Sequence, residues 1–151
     1  MAFNRKAYKK EYDREYQQRP EVIARRRARQ RTPESKAKAR ARRNATPYNF
    51  VRYKVLAMRS AAKKRGLVWE LDIDATIAKI LRQGHCKLSG VKFVYKQGGG
   101  KKNIFSPSID RIDSRKGYVP GNVMFVCWGV NVMKHEMSLY QFKKMCARVA
   151  A

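Results

Sequence analysis

Six acidic residues lie between residues 46 and 151, against 20 Lys and Arg. Two of them, Asp110 and Asp113, stand three apart in Ser108-Ile109-Asp110-Arg111-Ile112-Asp113. An acid in so basic a segment serves as a salt-bridge partner, a cap, or a ligand for a cation that neutralises phosphate. Gly117-Tyr118-Val119-Pro120-Gly121-Asn122-Val123 follows, then Cys127-Trp128-Gly129-Val130-Asn131-Val132-Met133-Lys134. A carboxylate oxygen and an Asn carbonyl are hard ligands that suit Mg²⁺ or Mn²⁺. Held together, they leave coordination positions for water and a phosphate oxygen, and the metal then polarises a phosphoryl group. The chain has two histidines. His135 lies four residues after Asn131, on the same helical face. His85 precedes Cys86 in a turn.

Positioning these groups requires a strand, a loop, a second strand and a helix. Ser108–Ile112 and Val123–Cys127 read as strands, joined through a loop at Asp113–Gly117, and a helix is expected near 128–136. Ser138 caps a further helix, 139–148, with Leu139, Phe142, Met145 and Cys146 on one face. Upstream, a helix is expected near 47–65, stopped by Gly66. Leu67–Leu71 alternates like a strand. Asp72 or Asp74 caps a helix near 74–83, a turn spans 84–90, Val91–Tyr95 reads as a strand, and Gln97–Asn103 as a Gly-rich loop.

Residues 1–45 differ in character. They hold 16 Lys or Arg, 5 acids and almost no core-forming side chains. Pro20, Pro33 and Pro47 recur at intervals of 13 and 14, and Thr32-Pro33 and Thr46-Pro47 have the form of helix starts, Thr as N-cap and Pro at the first helical position. Tyr8, Tyr12 and Tyr16 share one helical face. The pattern predicts a basic helical extension, 1–45, and a globular domain, 46–151.

The whole chain of 151 residues carries a formal charge of +25. Its length excludes a large multidomain enzyme. Its charge points to a polyanionic partner, nucleic acid before an anionic membrane surface. No apolar run approaches a membrane span, and the N-terminus lacks a signal peptide's apolar core, so an intracellular protein is expected. Three cysteines make no disulfide scaffold.

Over residues 84–146 the sequence resembles the HNH nucleases, the ββα-metal class, and especially short phage-type HNH endonucleases. The most specific part is Ser-x-Asp-Arg-Ile-Asp…Gly-Tyr…Gly-Asn-Val…Asn-x-Met-Lys, within a motif core of 106–136. The basic leader also resembles that of endonuclease VII-type recombination endonucleases. The resemblance implies an α+β fold, a small ββα-metal domain with flanking helices, and a DNA endonuclease acting in the cytoplasm of a phage-infected host. It places Asp110 and Asn131 as metal ligands for Mg or Mn, and Asn122 as the brace between loop and strand.

Two features depart from the family pattern. Arg111 stands where the family commonly has the His general base, and a guanidinium cannot take a proton at ordinary pH. Arg111 is expected to hold the scissile phosphate or to pair with Asp113. The base is then hydroxide on the metal, His135 or His85. Cys86 and Cys127 begin what would be two Cys-x-x-Cys pairs, but Ser89 and Val130 complete them, so no structural zinc is expected. Trp69, Phe93, Phe125, Trp128 and Phe142 are expected to supply the stability instead. Lys101, Lys102, Arg115, Lys116 and Lys134 are candidates to track phosphates. The rival readings are a non-catalytic nucleic-acid-binding protein on a degenerate HNH scaffold, and a ribosomal or RNA-packaging protein. The latter accounts for the charge but not for the 108–134 pattern.

Overall fold

The computed structural model describes residues 5–96 and 102–151. Lys101 and most of the expected Gly-rich loop lie outside the described residues, as does the Tyr8 ring. The chain divides into two compact units, Met1–Ala41 and Arg42–Ala151.

The first unit is helical: α1 (Arg5–Gln18), α2 (Pro20–Arg31) and most of α3 (Pro33–Asn44). Ala, Arg, Lys and Glu favour helix, and each Pro sits where its missing N–H costs nothing. Thr32 ends α2 in extended backbone and its Oγ1 accepts from Ser35 N at 3.2 Å. The Tyr12 and Tyr16 rings stack at 6.4 Å. None of the described side chains of α3 is buried; most of its charged groups face water, while Arg43 lays its guanidinium over the Tyr53 ring at 4.3 Å.

The second unit is α+β. In α4 (Pro47–Lys64) Thr46 Oγ1 accepts from Asn49 N at 3.1 Å, and the helix buries Phe50, Val51, Val55 and Ala62. In α5 (Ile73–Gln83) Asp72 accepts from Ala75 N at 2.7 Å, and Thr76, Ile77 and Ile80 face inward. Strands β1 (Pro107–Arg111) and β2 (Val123–Cys127) pair antiparallel, with Asp110 opposite Met124 and Ser108 opposite Val126. Helix α6 (Trp128–Lys134) starts directly from β2. Ser138 and Gln141 form a reciprocal cap on α7 (Leu139–Val149). No helix among the described residues is long and apolar enough to cross a membrane.

The structure corrects three local expectations. Leu67–Leu71 is not a strand: its one bridge pairs Trp69 with Tyr118, through Glu70 N to Tyr118 O at 2.9 Å and Tyr118 N to Val68 O at 2.8 Å. Gly117 permits this approach, since a Cβ there would stand 2.5 Å from Val68 O. Val91–Tyr95 likewise keeps a single bridge, Lys92 to His85, beside a hydrogen bond from Val94 to Phe105. Alternation is present in both segments, but each meets too little extended partner to extend a ladder. Finally, α6 stops at Lys134, because His135 adopts φ 49°.

The core is more aliphatic than expected. Val51, Val55, Ile77, Ile80, Ile109 and Val126 are all at most 2% exposed. Phe93 and Phe142 are buried, whereas Trp69, Phe125 and Trp128 are only half-buried. Cys86 and Cys127 are buried. Burial pushes the Cys86 thiol up, but hydrogen bonds from the Ser89 hydroxyl and from the backbone of Cys127, Ser89 and Leu88 outweigh it and leave the thiol below its ordinary value.

Candidate active site

Strand alternation decides what β1 offers. Ile109 enters the core, while Ser108 and Asp110, two residues apart, share the other face. Helix α6 packs on β1, and its residues 131 and 134, three apart, fall on one side. Asn131 Nδ2 donates to Ser108 Oγ at 2.8 Å and lies 3.4 Å from Ile109 O. With the amide nitrogen held by the strand, the carbonyl oxygen of the same planar group is turned away from it.

Lys134 reaches Asp110. Its Nζ lies 3.1 Å from Oδ2 and 3.4 Å from Oδ1, and donates to Arg111 O at 3.2 Å. Both residues are buried, Asp110 at 4% and Lys134 at 1% exposure. Burial pushes the Asp110 carboxyl up, against the hydrogen bond and charge of Lys134 that pull it down, and burial wins. Oδ2 sits in ion-pair range, yet no hydrogen bond is directed at it. The Lys134 ammonium serves Oδ2 by charge at 3.1 Å, and the oxygen keeps lone-pair capacity that no directed hydrogen bond takes up. Lys134, expected to track phosphates, is instead spent on Asp110: an ammonium enters so dry a place only with a counter-charge.

The loop between the strands is braced by Asn122, which is 7% exposed. Its Oδ1 accepts from Asp113 N at 2.9 Å, and its Nδ2 donates to Asp113 O at 3.1 Å and Gly117 O at 2.9 Å. Arg111 adds a second brace, donating from Nη1 to Ser114 O at 2.5 Å and Lys116 O at 3.0 Å, with its guanidinium over the Tyr118 ring at 5.6 Å. The expected Arg111–Asp113 pair does not form. Asp113 takes Arg115 instead, in a two-pronged contact at 3.0 Å on each oxygen. The Arg115 side-chain and backbone hydrogen bonds hold the Asp113 carboxyl down at about 2. The loop therefore keeps this contact across the neutral range. Arg115 and Lys116 are exposed on the loop.

Asp110, Arg111, Asn131 and His135 line one cleft of about 570 Å³, together with Ser108 and Glu136. His135 is exposed, and it follows the last turn of α6 with its N–H on Asn131 O at 3.0 Å. His85, Arg115, Lys116, Asn122 and Lys134 do not line the cleft. Among the lining residues that have no role in the sequence reading are Lys54, Ser106 and Glu136. Glu136, next to His135, was within reach of the motif. Lys54 had no local signal, because α4 brings it from more than 50 positions upstream.

The donor set suits a hard divalent cation. Asp110 offers an oxygen that no hydrogen bond satisfies, and Asn131 offers a carbonyl whose partner nitrogen is already committed. Among the described residues no group of three or more His, Cys, Asp and Glu stands together, so such an ion would draw its other ligands from water and substrate.

The fold of the second unit is similar to a solved structure, that of the rare-cutting HNH restriction endonuclease PacI, at TM-score 0.51 and 20% identity, covering 62% of this chain and 72% of PacI. This chain has an HNH-type fold. No protein-family profile and no curated protein sequence matches it.

Proposed function

We propose that this HNH-type chain is a metal-dependent endonuclease that hydrolyses phosphodiester bonds in DNA. The observation that carries the reading is the buried Asp110 carboxylate, with an oxygen lacking a hydrogen bond, in the same cleft as Asn131 and His135. The fold shared with a restriction endonuclease and the charge of +25 support it. Asp110 and Asn131 hold the ion, which when bound supplies charge neutralisation at the phosphoryl group. His135 takes a proton from the attacking water. The water oxygen bonds to phosphorus as the bond to the leaving oxygen breaks in line with it. Arg111 fixes the loop by its brace on Ser114 and Lys116, and as a residue lining the cleft it supplies the positive charge that meets the phosphate.

One observation favours a second reading, a non-catalytic DNA-binding protein: Lys134 already neutralises Asp110. A supercoiled-plasmid assay separates the two. Nicking with Mg²⁺ or Mn²⁺, stopped by EDTA, is the expected result. Binding without nicking at any metal concentration would establish the second reading.

The extension contributes affinity without reading bases. Residues 1–45 hold 16 Lys or Arg and 5 acids. If six of these basic groups neutralise duplex phosphates, deleting the extension reduces the slope of log K against log salt by about 5. Fluorescence anisotropy across a salt series measures this, and an unchanged slope would remove the extension from the DNA interface.

A further inference from the structure

One half-buried cation in the cleft, Lys54, has no part in the chemistry above. Lys54 projects from α4 between the core residues Val51 and Val55, and its Nζ stands 3.4 Å from Ser106 Oγ. Ser106 is 2% exposed and sits just before β1, with its carbonyl taken by Trp128 N at 2.7 Å. Among the described residues no carboxylate lies within 4 Å of Lys54, in contrast to Lys134 and Arg115. Its charged neighbour is another cation, Lys102, whose Nζ lies over the Trp128 ring at 5.1 Å. Both lysines line the cleft that holds Asp110 and Asn131. Burial pulls the Lys54 ammonium below its ordinary value, and the charge of Lys102 adds to the effect. A partly dehydrated ammonium beside a like charge gains most from an anion, and a hydroxyl that can donate completes the set of contacts an anionic oxygen accepts.

We propose that Lys54, Lys102 and Ser106 form a subsite for one backbone phosphate of the bound nucleic acid, separate from the phosphate at Asp110. The proposal takes the identity of its anion from the nuclease reading. The subsite engages DNA from α4 and the segment before β1, outside the strand–loop–strand–helix unit. It sets where the backbone enters the cleft, and so which phosphodiester reaches Asp110.

The test is duplex binding by the full chain in EDTA across a salt series, with Lys54→Met, Lys102→Met, the double variant, and Lys79→Met on the exposed side of α5 as control. Lys54→Met and Lys102→Met should each reduce the slope of log K against log salt by up to about 0.9, the share of one phosphate. The double variant should lose less than the sum, because both side chains address the same group. Lys54→Arg should retain the slope, and it also keeps the test open if Lys54→Met does not fold. Slopes for Lys54→Met and Lys102→Met equal to that of Lys79→Met would overturn the proposal. Inorganic phosphate, followed by Trp128 fluorescence, supplies the second arm. A saturable response to phosphate with no change in the DNA slopes would assign the site to a free anion and overturn the backbone assignment. The plasmid assay is independent. A chain that never nicks but shows these slopes loses the nuclease reading and keeps the subsite. A chain that nicks with unaltered slopes loses the subsite alone.

Discussion

Asp110→Ala is expected to abolish plasmid nicking while leaving duplex affinity close to that of the parent. Asp110 and Glu136 are the only carboxylates among the residues lining the cleft, and Asp110 alone is buried on the rigid end of a strand. If Asp110 holds the proposed cation, its removal takes away several kcal/mol of charge stabilisation, a rate loss of about 10³-fold or more. Affinity follows a different count, because one acid disappears from a chain with 36 Lys and Arg. The substitution has a structural cost that must be separated from the catalytic one. It strands Lys134, 1% exposed, without its counter-charge, and breaking a buried pair from one side costs about 3–5 kcal/mol. Asp110→Asn preserves shape, and Asp110→Ala with Lys134→Met removes both charges together. Either should fold better than Asp110→Ala alone and be equally inactive. Nicking at the parental rate by folded Asp110→Asn in Mg²⁺ would show that the carboxylate does not hold the metal.

What the sequence discloses about this site depends on how local each contact is. Asp110, Asn122 and Asn131 are legible because motif order and spacing carry them, and Ser108 follows from the period of two along β1. The burial of Lys134 is not legible. Its partner lies 24 positions away, and one lysine in a chain of this charge reads as solvated. The partner of Asp113 is open in the sequence for a related reason. Arg111 and Arg115 both stand two positions from it, and spacing alone does not choose. The structure does, by tying Arg111 to two loop carbonyls. The segments 67–71 and 91–95 show that alternation reveals a tendency to extend but not the length of partner available. In the core, aromatic residues are conspicuous in the sequence, yet the full burial falls mainly to Val and Ile delivered by α4, α5 and the two strands.

His135 shows how a periodic reading can find the residue and mistake its setting. Helical spacing puts it on the face of Asn131, but the helix has ended, and His135 is the one non-glycine residue with positive φ among those described. A backbone at φ 49° costs a side-chain-bearing residue of order 1–3 kcal/mol. The turn aims the chain into the cleft, where His135 lies with Asp110 and Asn131. If its imidazole takes the proton from the attacking water, His135→Ala lowers the rate by about 10²–10⁴-fold, the range of general base catalysis. His135→Gly makes the stronger test, because strain and chemistry then move in opposite directions. Glycine accepts this backbone freely, and relief of the strain exceeds the roughly 0.5–1 kcal/mol that glycine's extra freedom costs. The variant should therefore unfold at a temperature no lower than the parent's while losing the same 10²–10⁴-fold in nicking rate. Thermal melts and single-turnover nicking under one set of conditions read both quantities. A stable His135→Gly that cuts within tenfold of the parent would show that the proton leaves by another route, and would reduce His135 to the residue that turns the chain after α6.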